Sequence, residues 1–229
     1  YVIVNKLYEI YPKLEEYKKI ILKRIEEGNN EIYELSREIV KKVLLEQLKT
    51  LWNFDIYFDL LNKESNIIQQ GLWEKTFKIL KEKGLIKYEK EGEKKGTYII
   101  DLSRWKEFEG YEDKKKVLVR SDGTTVYLAK DIAYAFWKLN LIDDEFKYAI
   151  FITQPNGKLL YETDQNGEKI NIKFNDCDIS INVIGAEQTY LQLIIKKIIE
   201  ELYPTKKYVH YRYNLVMLSK ETAKIFGIS

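Results

Sequence analysis

Cysteine occurs once, at Cys177, and histidine once, at His210. A single thiol cannot form an internal disulfide, and one thiol with one imidazole cannot assemble a Cys/His zinc centre. The expectation is a chain held together by its core, without a bound metal, in a reducing cytoplasmic setting. Long apolar runs are lacking too. None approaches the roughly 18 residues that cross a bilayer, and no basic segment followed by an apolar one opens the chain, so no membrane partner is expected. A surplus of one charge is also missing: Lys+Arg total 38 against Asp+Glu 36, a net charge of +2. Splitting the chain after Lys116 leaves 24 basic against 22 acidic residues and then 14 against 14. Neither half is a polycation, which argues against charge-driven nucleic-acid binding by this chain alone. There is no G-x-x-x-x-G-K-[ST] loop and no G-x-G-x-x-G, so neither a P-loop nor a dinucleotide fingerprint is present. Internal repeats and low-complexity tracts are absent as well.

What is there has two textures. In 229 residues with 45% hydrophobic content, one large domain or two smaller ones can each bury a core. From Leu14 to Leu51 apolar residues recur at helical spacing, and "EGNNE" interrupts them with a glycine and two asparagines able to end one helix and cap the next. A helical hairpin is expected, with its Lys and Glu as a solvated face. "FDIYFDLL" alternates like a strand, "GLWEKTFKILKEKG" reads as an amphipathic helix, and "LIKYEK" and "GTYIIDL" read as a two-stranded wing. Helix plus wing resembles a winged helix. Seven Lys against four Glu between Lys78 and Lys95 make its face only modestly basic.

From Lys116 onward strands alternate with helices. "KVLVRS" and "TVYLA" read as strands joined at "SDGT", followed by a helix through "KDIAYAFWKL" and a strand "YAIFIT". "KLLYET" and "KINIKF" read as a hairpin around "DQNG". "ISINVIG", "EQTYLQLIIKKIIEEL" and "KYVHYRY" read as strand, crossover helix and strand. The fold expected is α/β: half of a doubly wound, mainly parallel sheet over residues 116–229, preceded by an α+β insertion over residues 1–115.

"VLVRSDGTTVYLAKDIAY", followed some fifty residues later by "INVIGAEQTYLQLIIKKIIEEL", resembles the second half of the catalytic domain of class I arginyl-tRNA synthetases. "FDIYFDLLNKES", "LKEKGLI" and "GTYIIDL" are similar to that family's connective insertion. The resemblance implies a part of an arginine-tRNA ligase, with arginine, ATP with Mg²⁺, and tRNA(Arg) as its substrates. It also implies that the family's HIGH-type segment would precede Tyr1 and its KMSKS-type loop and anticodon domain would follow Ser229. The chain by itself is then expected not to aminoacylate tRNA. The alternatives are a winged-helix nucleic-acid-binding or regulatory module, and a stand-alone relative that binds arginine or a nucleotide without ligating it.

Strand ends in an open α/β sheet face the crevice where ligands bind, and Tyr127 is expected at one of them. Asp131 is expected in the first turn of the next helix, where the dipole keeps a carboxylate ionised. An ionised carboxylate takes a guanidinium through two parallel hydrogen bonds, and a phenol adds another or packs on the planar group. The resemblance assigns Tyr127, Asp131 and Gln188 to the arginine side chain. At the "GAEQ" junction, Gly185 allows close backbone approach and Glu187 is placed to accept hydrogen bonds from ribose hydroxyls. His210 is implied near the nucleotide, with a structural role equally open. Arg120 and Asp122 read as turn residues. No group is assigned to covalent catalysis, and a monomer is expected.

Overall fold

The computed structural model describes residues 2–27, 30–143 and 146–227. The chain forms two compact units, Tyr1–Leu61 with Ile150–Tyr161, and Asn62–Ala149 with Glu162–Ser229.

The N-terminal helices are α1 (Val2–Ile10), α2 (Lys13–Glu27) and α3 (Glu31–Trp52). The expected hairpin is α2 and α3, although Gly28 and Asn29 of its connection lie outside the described residues. Asn30 caps α3, its side chain accepting from the Tyr33 amide at 3.1 Å. "FDIYFDLL" does not form the expected strand beyond β1 (Leu60–Leu61). Asp55 takes a positive φ of 56°, which breaks the extended run. The backbone around Phe58 is held instead by a side chain: buried Gln154 accepts from Trp52 Nε1 and the Phe58 amide, and donates to the Phe58 carbonyl at 2.7 Å.

After β1 come two helices, α4 (Glu64–Gln69) and α5 (Leu72–Glu82). Gly71, at φ 78°, turns the chain between them. Helix α5 buries Leu72, Trp73, Thr76 and Leu80, as its periodicity requires. Three antiparallel strands follow, β2 (Ile86–Tyr88), β3 (Tyr98–Asp101) and β4 (Lys115–Val119), in the order β2-β3-β4. The wing is therefore as expected, but "KVLVRS" is its third strand and not part of the parallel sheet. Residue 115, where the expected division falls, opens β4, which pairs with β3 through Ile99 opposite Val117. Trp105 Nε1 donates to Glu201 at 2.8 Å, another tie across that division.

Beyond β4 lie α6 (Tyr127–Lys138), β5 (Tyr148–Thr153) and β6 (Leu159–Thr163). Strands β1, β6 and β5 make a three-stranded sheet in that order. The hairpin is β5 and β6 around Gln154–Gly157, with Gly157 at φ 80°. "KINIKF" is irregular, so the hairpin expected around "DQNG" does not form. Both edges of β6 are taken, one by β5 across the Gln-Pro-Asn-Gly turn and the other by β1.

The rest is β7 (Ile179–Gly185), α7 (Thr189–Leu202), β8 (Lys207–Tyr213) and α8 (Lys220–Ile225). β7 and β8 pair in parallel from Ile179 opposite Lys207 to Gly185 opposite Tyr213, and α7 is their crossover. Ser180, Asn182 and Tyr208 on one side of this pair are buried, whereas Ile181, Val183, Val209 and Tyr211 on the other are exposed. The α/β character and the strand-helix-strand unit agree with the sequence analysis. Of the strands expected before residue 154, none joins β7 and β8.

Candidate functional site

The turn at "RSDGT" decides where Tyr127 and Asp131 fall. Asp122 Oδ1 accepts from the Thr124 amide at 2.9 Å and from its hydroxyl at 2.7 Å, while Gly123 takes a φ of 84°. The Arg120 amide donates to the Thr124 carbonyl at 2.8 Å, and its guanidinium donates to the Thr124 hydroxyl. Arg120 and Asp122 thus close a tight turn. The turn carries Thr125 back beside Val119 as an isolated bridge, and the Val126 amide donates to Leu118. The strand expected at "TVYLA" ends there, because α6 begins at Tyr127 and buries Leu128, Ala129, Ile132, Ala133 and Phe136.

Tyr127 is therefore the first residue of a helix and not a strand end, and it is 59% exposed. Asp131 lies one turn later and is half-buried. The ionising effect expected of the dipole does not prevail, since it fades within the first turn and Asp131 is the fifth residue. Burial, reinforced by the Glu64 carboxylate of α4, pushes the Asp131 carboxyl up to about 6, against the opposing pull of Lys138 and Lys130. The Asp131 charge in turn is the main cause that raises the Tyr127 phenol. Among the described residues no hydrogen bond or ion pair reaches Asp131. Lys130, its neighbour, is taken by Glu64 at 2.7 Å. A half-buried carboxylate with its acceptor sites unused is costly in itself, and a cation brought from solution relieves that cost.

Several groups around Asp131 were not singled out from the sequence. Lys138, also on α6, donates to Asn182 Oδ1 of β7, and its ammonium lies 4.9 Å from the Tyr134 ring centre and 5.6 Å from that of Tyr208. Tyr208 donates to Gln192 Oε1 of α7 at 2.9 Å, and burial and the Asp131 charge push its hydroxyl above its usual value. Asp131, Tyr134 and Lys138 at i, i+3 and i+7 form a polar stripe along one side of a largely apolar helix. That stripe was the available signal.

The other expected residues gather where β7 meets α7. Gly185 ends β7, and the Glu187 carboxylate folds over its α-carbon where a Cβ would lie. Glu187 is exposed, and Gln188 is half-buried at the N-terminal end of α7. Gln188 stands one turn before Gln192, so the two share a face of α7, although no hydrogen bond joins Gln188 to Asp131 among the described residues. His210 lies opposite Asn182 and donates its Nε2–H to the Ile184 carbonyl at 3.0 Å, a bond that steadies the end of β7 beside Gly185. The structure thus brings Tyr127 together with Asp131, and Gly185 with Glu187 and Gln188.

Elsewhere, some lysines of the wing and of β4 are ion-paired. Lys94 and Lys116 pair with Asp113, and Lys115 with Glu89. Two open depressions, one beside the wing and one beside α5, include none of the site residues. Among the described residues no group of three or more His, Cys, Asp or Glu side chains is arranged to hold a metal ion, and no helix is long and apolar enough to cross a membrane.

Comparison with known proteins gives a consistent picture. The sequence model of the family "tRNA synthetases class I (R), catalytic domain" matches residues 1–156. The arginine–tRNA ligase of Pyrococcus furiosus is 40% identical over 202 residues, which are 88% of this chain and 30% of that protein. That of Thermococcus sibiricus is 33% identical over 213 residues, 93% of this chain and 33% of the relative. The solved Thermus thermophilus arginyl-tRNA synthetase superposes with a TM-score of 0.68 at 29% identity, covering 80% of this chain and 31% of that one. The chain spans about a third of the length of the relatives it matches. A separate winged-helix module is not favoured by these relatives.

Proposed function

Because the chain belongs to the catalytic-domain family of class I arginyl-tRNA synthetases, we propose that it supplies the arginine side-chain pocket and part of the adenylate site of an arginine-tRNA ligase. The parent protein would activate arginine with ATP and transfer it to tRNA(Arg), with Mg²⁺ arriving as the counter-ion of its nucleotide substrate. Such chemistry needs no covalent protein intermediate, only positioning and electrostatic stabilisation. It would run in the cytoplasm, in keeping with the single thiol, and the protein would act as a monomer.

The observation that carries this reading is the half-buried Asp131 carboxylate, without a partner among the described residues, one helical turn from the Tyr127 phenol. Asp131 takes the guanidinium bidentately, Tyr127 lies along its plane or bonds its edge, and Gln188 adds a neutral contact. Gly185 lets the nucleotide approach the backbone, and Glu187 accepts from its ribose hydroxyls. His210 lies at the nucleotide end, where its bond to Ile184 gives it an anchoring role in addition. Residues 1–115 act as the connective insertion and 116–229 as the second catalytic half. This is a division of role and not of packing, since β3 and β4 pair across it.

The test is arginine against lysine, in the protein that carries this chain. Steady-state kinetics should show arginine strongly preferred, and Asp131→Asn should raise the arginine KM or lower kcat. Unchanged values would reduce Asp131 to a helix-surface carboxylate.

A further inference from the structure

Lys138 is a half-buried cation that the proposed pocket does not use. Seven residues separate it from Asp131, which returns it to the same face of α6 about 10 Å along the axis. Helical side chains lean toward the N-terminus, so the lysine stem runs back toward Asp131. Its ammonium is held by the Asn182 amide oxygen and the faces of Tyr134 and Tyr208. These holders are themselves fixed. Asn182 Nδ2 donates to Ser180 Oγ and the Val209 carbonyl, both at 3.4 Å, and Tyr208 is tied to Gln192.

None of these holders is an anion, and among the described residues no carboxylate lies within 4 Å of the ammonium. A cation withdrawn from water this way requires a compensating negative charge. Two acidic groups act on it, the Cys177 thiol, whose Sγ–H donates to the Lys138 carbonyl at 2.8 Å and which burial keeps protonated, and Asp131, which supplies the negative charge. On Asp131 act Glu64 of α4 and Lys130 and Lys138 of α6, while its own charge reaches Tyr127 of α6 and Tyr208 of β8. Both lysines near Asp131 are thus tied elsewhere, Lys130 to Glu64 and Lys138 to Asn182. A lysine free to reach the carboxylate would occupy it. One pinned two turns away supplies positive potential and leaves the acceptor oxygens open.

We propose that Lys138 is a positioning residue for the arginine site: pinned by Asn182, Tyr134 and Tyr208, its ammonium is the fixed countercharge that keeps Asp131 in the form able to accept a guanidinium. The proposal rests on the reading of Asp131 as the guanidinium's partner. Burial draws Lys138 down to about 8 and lifts Asp131 to about 6, so both are charged only in a narrow interval around neutrality. Within that interval each sustains the other.

The experiment is a carbon-13 NMR titration of the Asp131 carboxyl in the chain, beside the pH dependence of arginine binding in the protein that carries it. Lys138→Met, which keeps the stem and removes the charge, should raise the Asp131 midpoint by about half a unit to one unit. The acid limb of arginine binding should move up with it, a loss of roughly two- to fivefold near pH 6 that vanishes at pH 8. Lys138→Arg should hold both near their original values. Asn182→Asp, which gives Lys138 a carboxylate of its own, should raise the midpoint in the same direction and serves should the methionine variant fold poorly. An unmoved midpoint in both Lys138→Met and Asn182→Asp overturns the proposal. A midpoint that moves while arginine binding ignores it would refute the guanidinium reading, and this proposal with it.

Discussion

Helices α6 and α7 both begin beside the candidate site, yet they treat polar groups in opposite ways. Helix α6 carries a carboxylate and an ammonium on its inner face, Asp131 and Lys138, and neither is ion-paired among the described residues. Helix α7 buries only neutral polarity: Gln192 is 3% exposed and bonded by Tyr208, while its one nearby carboxylate, Glu187, stays in water over Gly185. The lesson is about ligand type. Half-buried charge left unpaired is suited to a charged ligand group, and solvated carboxylate with neutral amides is suited to hydroxyls, whose recognition does not require a net charge to be compensated.

The contrast can be broken most decisively at Asp131. Asp131→Asn keeps the shape and removes the charge, so arginine affinity should fall by about 2 to 4 kcal/mol, the range for breaking a buried hydrogen-bonded charge pair. Isothermal titration or steady-state kinetics would read it, and a loss under about 0.5 kcal/mol would erase the difference between the helices.

The same substitution should have the opposite effect on stability. The folded Asp131 carboxyl titrates near 6, above its ordinary 3.8, so its ionised form favours the unfolded chain. Stability from this group is full below about pH 4 and is lost as pH rises through 6. Asp131→Asn should therefore gain about 1 to 2 kcal/mol at pH 7, after allowing for solvent screening, and nothing at pH 4. Urea unfolding at the two pH values measures this. Equal effects at both would mean that desolvation does not govern Asp131.

A finer probe is Tyr127→Phe, which removes one hydroxyl from a largely exposed ring. Arginine affinity should drop by about 1 kcal/mol, the net worth of one hydrogen bond, with stability little changed. On α7 the smallest effect is expected. Glu187→Gln should alter folding stability by no more than about 0.5 kcal/mol and leave the arginine KM alone, while raising that for ATP. A raised arginine KM instead would show that the two helices do not divide the ligand as proposed.

Some of this was readable from local pattern. "KYVHYRY" and "ISINVIG" are β-branched and aromatic runs bounded by turn residues, and they form β8 and β7 with α7 as crossover. The capping asparagine before α3 and the glycines around α5 marked helix ends in the same way. Other stretches were ambiguous by their chemistry. Val126 to Ala129 suits a strand as well as a helix, and the outcome turned on the Asp122 turn, which returned the chain to Leu118 after one bridge. "KVLVRS" has the composition of a parallel strand, but its neighbour in space is β3, the central strand of the antiparallel wing.

By itself the sequence determined the α/β class, the strand-helix-strand unit, the turn chemistry, and the residue types from which a guanidinium site could be made. These depend on short-range periodicity and steric preference, which each segment carries wherever it ends up. Tertiary structure alone decided that Asp131 lies past the reach of the helix dipole, that Glu64 arrives beside it from α4, and that Asn182 and two tyrosines hold Lys138 away from it. Charge state depends on desolvation and on neighbours distant in sequence, and both exist only once the chain has folded.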